Sequence, residues 1–123
     1  ILVERMSKML DKLKKFLAKH DCKTREEPDP RNIDENRMEK LLKKGAMLID
    51  VRSPQEFKEG HFEAAINIPE YEIESKIEEA VQDKSQVIVL YCTSGYRSKK
   101  AKETLEKMGY ENVFYLAINY KLW

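Results

Sequence analysis

The first 32 residues carry two patterns, one with helical spacing and one almost without apolar positions. Over residues 6–19 the apolar side chains recur every three or four positions, as on one face of an amphipathic helix, with lysines around it. Residues 21–32 contain two prolines and several charges, which is typical of a linker. We assign residues 1–20 to an N-terminal amphipathic helix that packs on its own domain or on a second copy, as a homodimer. Binding to a membrane surface or a partner peptide is the alternative, because basic amphipathic helices bind anionic surfaces. The first methionine, Met6, is a candidate for the natural start, which would make residues 1–5 an addition.

Beyond the linker, short apolar runs alternate with segments of helical spacing. This alternation predicts one α/β domain over residues 33–123, in which a central, mainly parallel β-sheet is flanked by helices on both faces. The most apolar and β-branched run, residues 87–91, is placed at the centre of the sheet. The predicted strands cover residues 47–51, 65–68, 87–91 and 112–116, and the longer predicted helices cover residues 71–81 and 98–108.

Capping residues mark the predicted ends of the helices. Asp34 and Ser53 are suited to begin the first two helices after the linker, and Ser98 the last. Gly45 and Gly109 are suited to end helices, because glycine adopts the left-handed conformation that often follows a last turn. The helix over residues 71–81 is expected to bury four apolar side chains: Ile73, Ile77, Ala80 and Val81.

Cys92 follows the predicted central strand directly, at the end of the sheet where parallel folds bind ligands. The loop from Cys92 to Ser98 must curl tightly, and Gly95 gives its backbone the freedom to do so. Such curling turns amide N–H groups toward the Cys92 sulfur and brings the guanidinium of Arg97 near. This setting favours the nucleophilic thiolate and suits the anionic outer sulfur of a persulfide. The alternative is an ordinary buried cysteine at the end of a strand.

Several separate motifs of this sequence occur together, in the same order and spacing, in the rhodanese domain. Residues 33–123 resemble that family, and several matches in one order are far more specific than any single match. The resemblance implies a rhodanese-like α/β fold and the activity of a thiosulfate sulfurtransferase. The motifs are Asp50-Val51-Arg52, then Pro54, Glu56 and Phe57, Gly60-His61, Ala65-Ile66-Asn67-Ile68-Pro69, the loop from Cys92 to Ser98, and Gly109-Tyr110 before Asn112-Val113.

The chemistry that the resemblance implies has two steps. The Cys92 thiolate would take sulfur from a donor, which is a small sulfur-containing anion such as thiosulfate or a protein persulfide. A thiol or another thiophilic acceptor would then remove the outer sulfur. Arg97 would be catalytic with Cys92, fixing the loop and attracting the donor. The loop would stabilise the anionic sulfur through substrate-binding residues, which are Thr93, Ser94, Gly95, Tyr96 and Ser98.

Two departures from the family concern the donor. Many members follow the last strand with a glycine pair, whereas this chain has Ala117-Ile118-Asn119, which alters the pocket wall on that side. Arg97 is the loop's only cation, so dianionic thiosulfate is less well matched, and a protein persulfide or polysulfide stays open as donor. Tyr96, beside the mouth of the loop, could contact an acceptor protein.

Other functions stay open beside the enzyme. Four residues separate Cys92 from Arg97, whereas related phosphatases use five to encircle an oxyanion, so the spacing favours sulfur over phosphate. A binding or regulatory module on the same fold is a second reading, against which the intact Cys92 argues. A dedicated carrier that hands its persulfide to one protein partner is a third.

Polar residues outside the loop are interpreted as structural. Asp50 and Arg52 are expected to brace the strand end as an ion pair, with Glu56 as a further partner for Arg52. His61 is expected to be a hydrogen-bonded structural residue.

Composition narrows the partners and the compartment. Charged residues make up 37%, yet the formal net charge is +1, so no nucleic-acid partner is expected. No apolar run approaches the roughly 18 residues of a membrane span, so no membrane partner is expected either. Two cysteines are too few for a disulfide-stapled secreted fold, which favours the cytoplasm. No metal and no other cofactor is expected, because ligand spacing is lacking among His20, Cys22, His61 and Cys92.

Overall fold

The computed structural model describes residues 29–118. The predicted N-terminal helix with His20, most of the predicted linker with Cys22, and residues 119–123 lie outside the described residues. The proposed packing of that helix, including a homodimer, therefore stays a prediction.

Within the described residues, helices alternate with four strands of one parallel sheet. The strands run in the order β2-β1-β3-β4, so β1 and β3 are the inner ones. The predicted α/β fold is confirmed. A short 3-10 turn, Glu70–Glu72, leads into the third helix. The strands are β1 (Met47–Asp50), β2 (Ile66–Asn67), β3 (Ile88–Cys92) and β4 (Val113–Ala117), and the helices are α1 (Glu35–Lys43), α2 (Pro54–Glu59), α3 (Ile73–Ala80) and α4 (Tyr96–Lys107).

Two hydrophobic layers cover the two faces of the sheet, as predicted. One layer joins α3 and α4 to the sheet through side chains such as Ile77 and Leu105. The other joins α1 to the opposite face through Met38 and Leu41. Every residue of β3 is buried, which confirms the prediction that this strand lies at the centre.

Capping explains where the first two helices begin. The side chain of Asp34 accepts a hydrogen bond from the N–H of Arg37 and begins α1. Ser53 begins α2 in a capping box, in which the side chains of Ser53 and Glu56 each accept from the other's backbone N–H. Both predicted caps are confirmed, and Gly45 follows α1 with the predicted positive φ of 98°.

Two details of the predicted helices are wrong. The last helix begins at Tyr96, after Gly95, so Ser98 is not its N-cap but lies in its first turn. The reason is the left-handed conformation of Gly95, which turns the chain into the helix earlier. Ala80 is exposed because α3 ends there, and the extended Val81 enters the core instead.

The outer edge of β4 is covered by the end of the predicted linker. Tyr115 N donates to Arg31 O, and Ile33 N donates to Tyr115 O, each at 2.9 Å. The opposite edge strand, β2, is only two residues long.

A buried ion pair holds the carboxyl end of β1. Asp50 is fully buried, and Arg52, 5% exposed, donates to its carboxylate from Nη2 at 2.7 Å. Burial disfavours the charge of Arg52, but the hydrogen bonds and the charge of Asp50 outweigh this and raise the pKa of Arg52. The second head-group contact of Arg52 is with the Gly60 carbonyl, at 2.6 Å. The predicted brace between Asp50 and Arg52 is confirmed. The charge of Glu56 also favours the charged form of Arg52, as predicted, while the Glu56 carboxylate forms its ion pair with Arg97 of the Cys92 loop.

We expect the substitution Arg52→Met to lower the free energy of unfolding by about 3–5 kcal/mol, because it leaves a buried carboxylate without its partner. Urea unfolding followed by circular dichroism measures this. The control is Lys76→Met, which breaks the exposed pair with Glu72 and should leave the free energy of unfolding almost unchanged. Equal losses in the two variants would contradict the bracing role.

Candidate active site

The Cys92 sulfur lies in a cradle made by the loop and the first turn of α4. Cys92 is fully buried at the end of β3. Its Sγ accepts hydrogen bonds from the backbone N–H of Gly95 at 3.0 Å and of Ser98 at 3.3 Å. The predicted nest of donors is therefore present, with these amides making the contacts to sulfur. Because they lie at the N-terminus of a helix, its dipole adds to the stabilisation of negative charge on sulfur.

The Ser98 hydroxyl is a further polar group at the sulfur. Ser98 is fully buried, and the Cys92 thiol donates to its Oγ at 3.4 Å. The same oxygen lies 3.2 Å from the carbonyls of Gly95 and Leu116, to either of which it can donate. Since a hydroxyl both donates and accepts, it can turn to donate to a thiolate. Ser98 therefore meets the sulfur with its side chain as well as its backbone, a role that its predicted capping would not have provided.

Gly95 allows the loop to curl against the end of β4. Its φ is +88°, and a Cβ added there would lie 3.2 Å from the Cβ of Ala117. Ala117 pairs with Cys92 in the sheet, and Ile118 N donates to the Cys92 carbonyl at 2.8 Å. The departure from a glycine pair thus places side chains directly behind the loop, and Gly95 is the residue that leaves room for them.

Arg97 is held by an acidic residue of α2. Its guanidinium donates to both carboxylate oxygens of Glu56, at 2.6 and 3.1 Å. This hydrogen bonding lowers the pKa of Glu56 to about 2, against burial and together with the bonds from Ser53. The Glu56 hydrogen bond likewise raises the pKa of Arg97, against the effect of burial. Glu56 therefore orients Arg97 at the loop, which the sequence interpretation missed because it assigned Glu56 to Arg52.

The remaining predicted loop residues lie on the outside of the curl. Thr93, Ser94 and Tyr96 are exposed, and the ring-bearing Tyr96 is 74% exposed. Tyr96 N donates to the Ser94 hydroxyl at 3.5 Å. Their side chains make no contact with the Cys92 sulfur that the structure records.

The structure also locates the other residues that the sequence singled out. His61 Nδ1 lies 2.7 Å from the Phe57 carbonyl, and the two rings stack at 3.5 Å, so the predicted hydrogen bond of His61 is present. Across residues 29–118, histidine, cysteine and carboxylate side chains form no cluster that could hold a metal ion. In the same range no helix has the length and apolar character to span a membrane.

Sequence comparison assigns this cysteine loop to a family. The family described as "Rhodanese-like domain" matches residues 34–123. The chain belongs to this family. Among named members of the rhodanese family, sulfur transfer is the general activity. These members share the fold described above.

Curated relatives include enzymes with different names. Thiosulfate sulfurtransferase PspE of Escherichia coli is 45% identical over 65 residues, which are 53% of this chain and 62% of that protein. The tRNA uridine(34) hydroxylase of Erwinia tasmaniensis is 39% identical over 75 residues, covering 58% of this chain and 21% of the relative. This rhodanese-like chain thus spans about three fifths of the first relative and about a fifth of the second.

Solved structures agree with the fold. A rhodanese from Escherichia coli with bound anions superimposes with a TM-score of 0.58 at 36% identity, over 64% of this chain and 95% of that one. The human single-domain sulfurtransferase TSTD1 gives a TM-score of 0.64 at 26% identity, over 75% of this chain and 93% of that one.

We expect Gly95→Ala to destabilise the rhodanese-like domain more than Gly45→Ala. Both glycines have positive φ, so each alanine carries a backbone cost of about 1–2 kcal/mol. At Gly45 nothing lies within 4 Å of the new Cβ, whereas at Gly95 it crowds Ala117. The difference between the two variants in free energy of unfolding, measured by urea unfolding, gives the cost of the crowding at Gly95. Equal losses would show that the loop does not press on β4.

The Glu56 pair should make stability depend on pH in acid. The pKa of Glu56 falls from an ordinary 4.5 to about 2, so its contribution is complete above pH 4.5 and is lost as the pH falls through about 2. We expect Glu56→Gln to lower the unfolding free energy by about 1 kcal/mol near neutral pH, a value reduced for partial exposure. Urea unfolding from about pH 7 to about pH 2 should show this gap closing. A gap that persists at the lowest pH would contradict the assignment.

Proposed function

We propose that the chain is a sulfurtransferase that carries sulfane sulfur on Cys92 as a persulfide. The observation that carries this proposal is the buried Cys92 Sγ, which accepts from the N–H groups of Gly95 and Ser98 at the start of α4. These donors stabilise negative charge on a sulfur in a site that side chains largely shield from water. Membership of the rhodanese-like family and the named sulfurtransferases among its relatives support the same chemistry.

The first step loads the cysteine. The Cys92 thiolate attacks the outer sulfur of thiosulfate, a new S–S bond forms, and the donor's S–S bond breaks with its electron pair leaving on sulfite. One negative charge on the thiolate and two on thiosulfate become one on the persulfide and two on sulfite. A protein persulfide as donor would lose its outer sulfur in the same way and leave as a thiolate.

In the second step, the Cys92 persulfide gives its outer sulfur to an acceptor. A thiolate acceptor attacks the outer sulfur of the Cys92 persulfide, and Cys92 departs as the thiolate that the cradle already stabilises. No oxidant is needed, because the sulfane sulfur passes between thiolates. Both steps require Cys92 and the acceptor as reduced thiols. The proposal therefore places the protein in the reducing cytoplasm.

Further backbone N–H groups of the loop are candidates for binding the outer sulfur. The N–H groups of Thr93, Ser94 and Arg97 find no acceptor among residues 29–118. We assign them to the persulfide's outer sulfur, which is anionic and needs donors as the inner sulfur does. The buried Ser98 hydroxyl would stay with the inner sulfur.

Intact-mass analysis tests the proposal directly. The reduced protein is incubated with thiosulfate and, separately, with polysulfide, beside Cys92→Ala. We expect the wild type to gain the mass of one sulfur, cyanide to remove it as thiocyanate, and the variant to gain none at this site. Because Cys22 is also present, peptide mapping must locate the added sulfur. No gain at Cys92 with either donor would contradict sulfur transfer and leave a binding module on this fold.

A further inference from the structure

The sulfur site has an unusual balance of charge at its mouth. Arg97 is the only charged side chain between Cys92 and Ser98. Its guanidinium donates hydrogen bonds to both carboxylate oxygens of Glu56. Since each side chain of this pair is 33% exposed, they form a neutral unit at the surface beside the loop. The loop and its partner therefore present no net positive charge to a donor.

Nearby lysines on α4 do not replace that charge. Lys100 pairs with Glu70 at 3.4 Å, and Lys102 lies 3.2 Å from Glu106 and 3.6 Å from Asp29. Lys99 is exposed to solvent, where screening by salt weakens its attraction. Compensation for negative charge at the sulfur thus comes mainly from amide N–H groups and the helix N-terminus, worth about half an elementary charge.

Sulfur donors differ in how much charge they bring to this site. Thiosulfate adds two negative charges to that of the Cys92 thiolate, whereas an ionised alkyl persulfide adds one. The electrostatic cost of bringing each donor to the thiolate scales with its charge. A site whose only loop cation is already paired is consequently better matched to the donor of lower charge.

We infer that Glu56 is a positioning residue that sets donor specificity: by occupying Arg97, it selects alkyl or protein persulfides over dianionic thiosulfate. The inference rests on the proposed function, since it needs Cys92 to accept sulfur. Glu56 does not touch the donor and acts through the guanidinium of Arg97. Its second task is capping α2 with Ser53, whose N–H and hydroxyl donate to the same Oε1 that accepts from Arg97, so a control must remove the cap and keep the carboxylate.

The test compares Cys92 persulfidation by thiosulfate and by cysteine persulfide, each over a range of donor concentrations. In Glu56→Gln, the positive charge of Arg97 is no longer balanced by a carboxylate. We expect the half-saturating concentration of thiosulfate to fall about tenfold, and that of the persulfide by about threefold or less, because it carries half the charge. The maximal rates should stay within about twofold. Equal changes for both donors, or weaker binding of thiosulfate, would overturn the inference.

Two variants separate charge at Arg97 from other effects. Glu59→Gln removes the same charge from α2 without touching Arg97, and Ser53→Ala removes the cap of α2 but keeps the Glu56 carboxylate. Both should keep the wild-type ratio of half-saturating concentrations. A shift of that ratio in either control as large as in Glu56→Gln would assign the effect to general charge or to helix capping and overturn the inference.

A further experiment uses the wild-type protein alone and varies the salt concentration. The protein's half-saturating concentration for thiosulfate should rise by less than about twofold from low to high salt, because no unpaired loop cation attracts the dianion. A steep rise with salt would show that Arg97 acts as a free cation and would overturn the inference. If Cys92 accepts sulfur but the donor ratio does not respond to Glu56→Gln, the inference alone fails. If Cys92 accepts sulfur from neither donor, the proposed function fails and the inference with it.

Discussion

The site depends on the pairing of β3 with its two neighbours at the point where the strand ends. On one side Val51 N donates to the Tyr91 carbonyl at 3.1 Å, and on the other Ile118 N donates to the Cys92 carbonyl at 2.8 Å. The backbone that carries Cys92 is therefore held from both sides in a fully buried strand. Because the sulfur is fixed in this way, amides arriving from the loop can meet it at hydrogen-bond distance, and little further ordering is required when charge develops on it.

The second element that matters is α2, which connects the end of β1 to the Cys92 loop. Its first turn contains Glu56, whose carboxylate serves the capping box and at the same time holds Arg97. The base of α2 follows the buried Asp50–Arg52 pair, and the Arg52 head group also binds the Gly60 carbonyl just past the helix. The orientation of the loop cation therefore rests on a rigid platform built at the end of a different strand.

Much of this could be predicted from sequence because the signals are local. The capping roles of Asp34 and Ser53, the central place of β3 and the curl at Gly95 each depend on residues close together in the chain. The contact between Glu56 and Arg97 spans 41 residues, and no periodicity or cap encodes it. The sequence interpretation assigned Glu56 to Arg52, which is near in sequence but already occupied by Asp50.

Ser98 shows a different limit of sequence reasoning. A serine before a helical pattern fits an N-cap, yet the same residue fits the first turn if the helix starts earlier. The conformation of Gly95, with a φ of +88°, decides between these, and it follows from how the loop packs on β4. Because of this tertiary packing, Ser98 is not a helix cap, and its buried hydroxyl lies at the Cys92 sulfur.

The two borders of the sheet bear on how the chain behaves at high concentration. One border is sealed by Arg31 and Ile33 along Tyr115, and the other offers only the two residues of β2. An intermolecular ladder needs a long run of unpaired amides and carbonyls, and neither border provides one. Within residues 29–118, neither border of the sheet therefore favours the addition of a strand from a second copy.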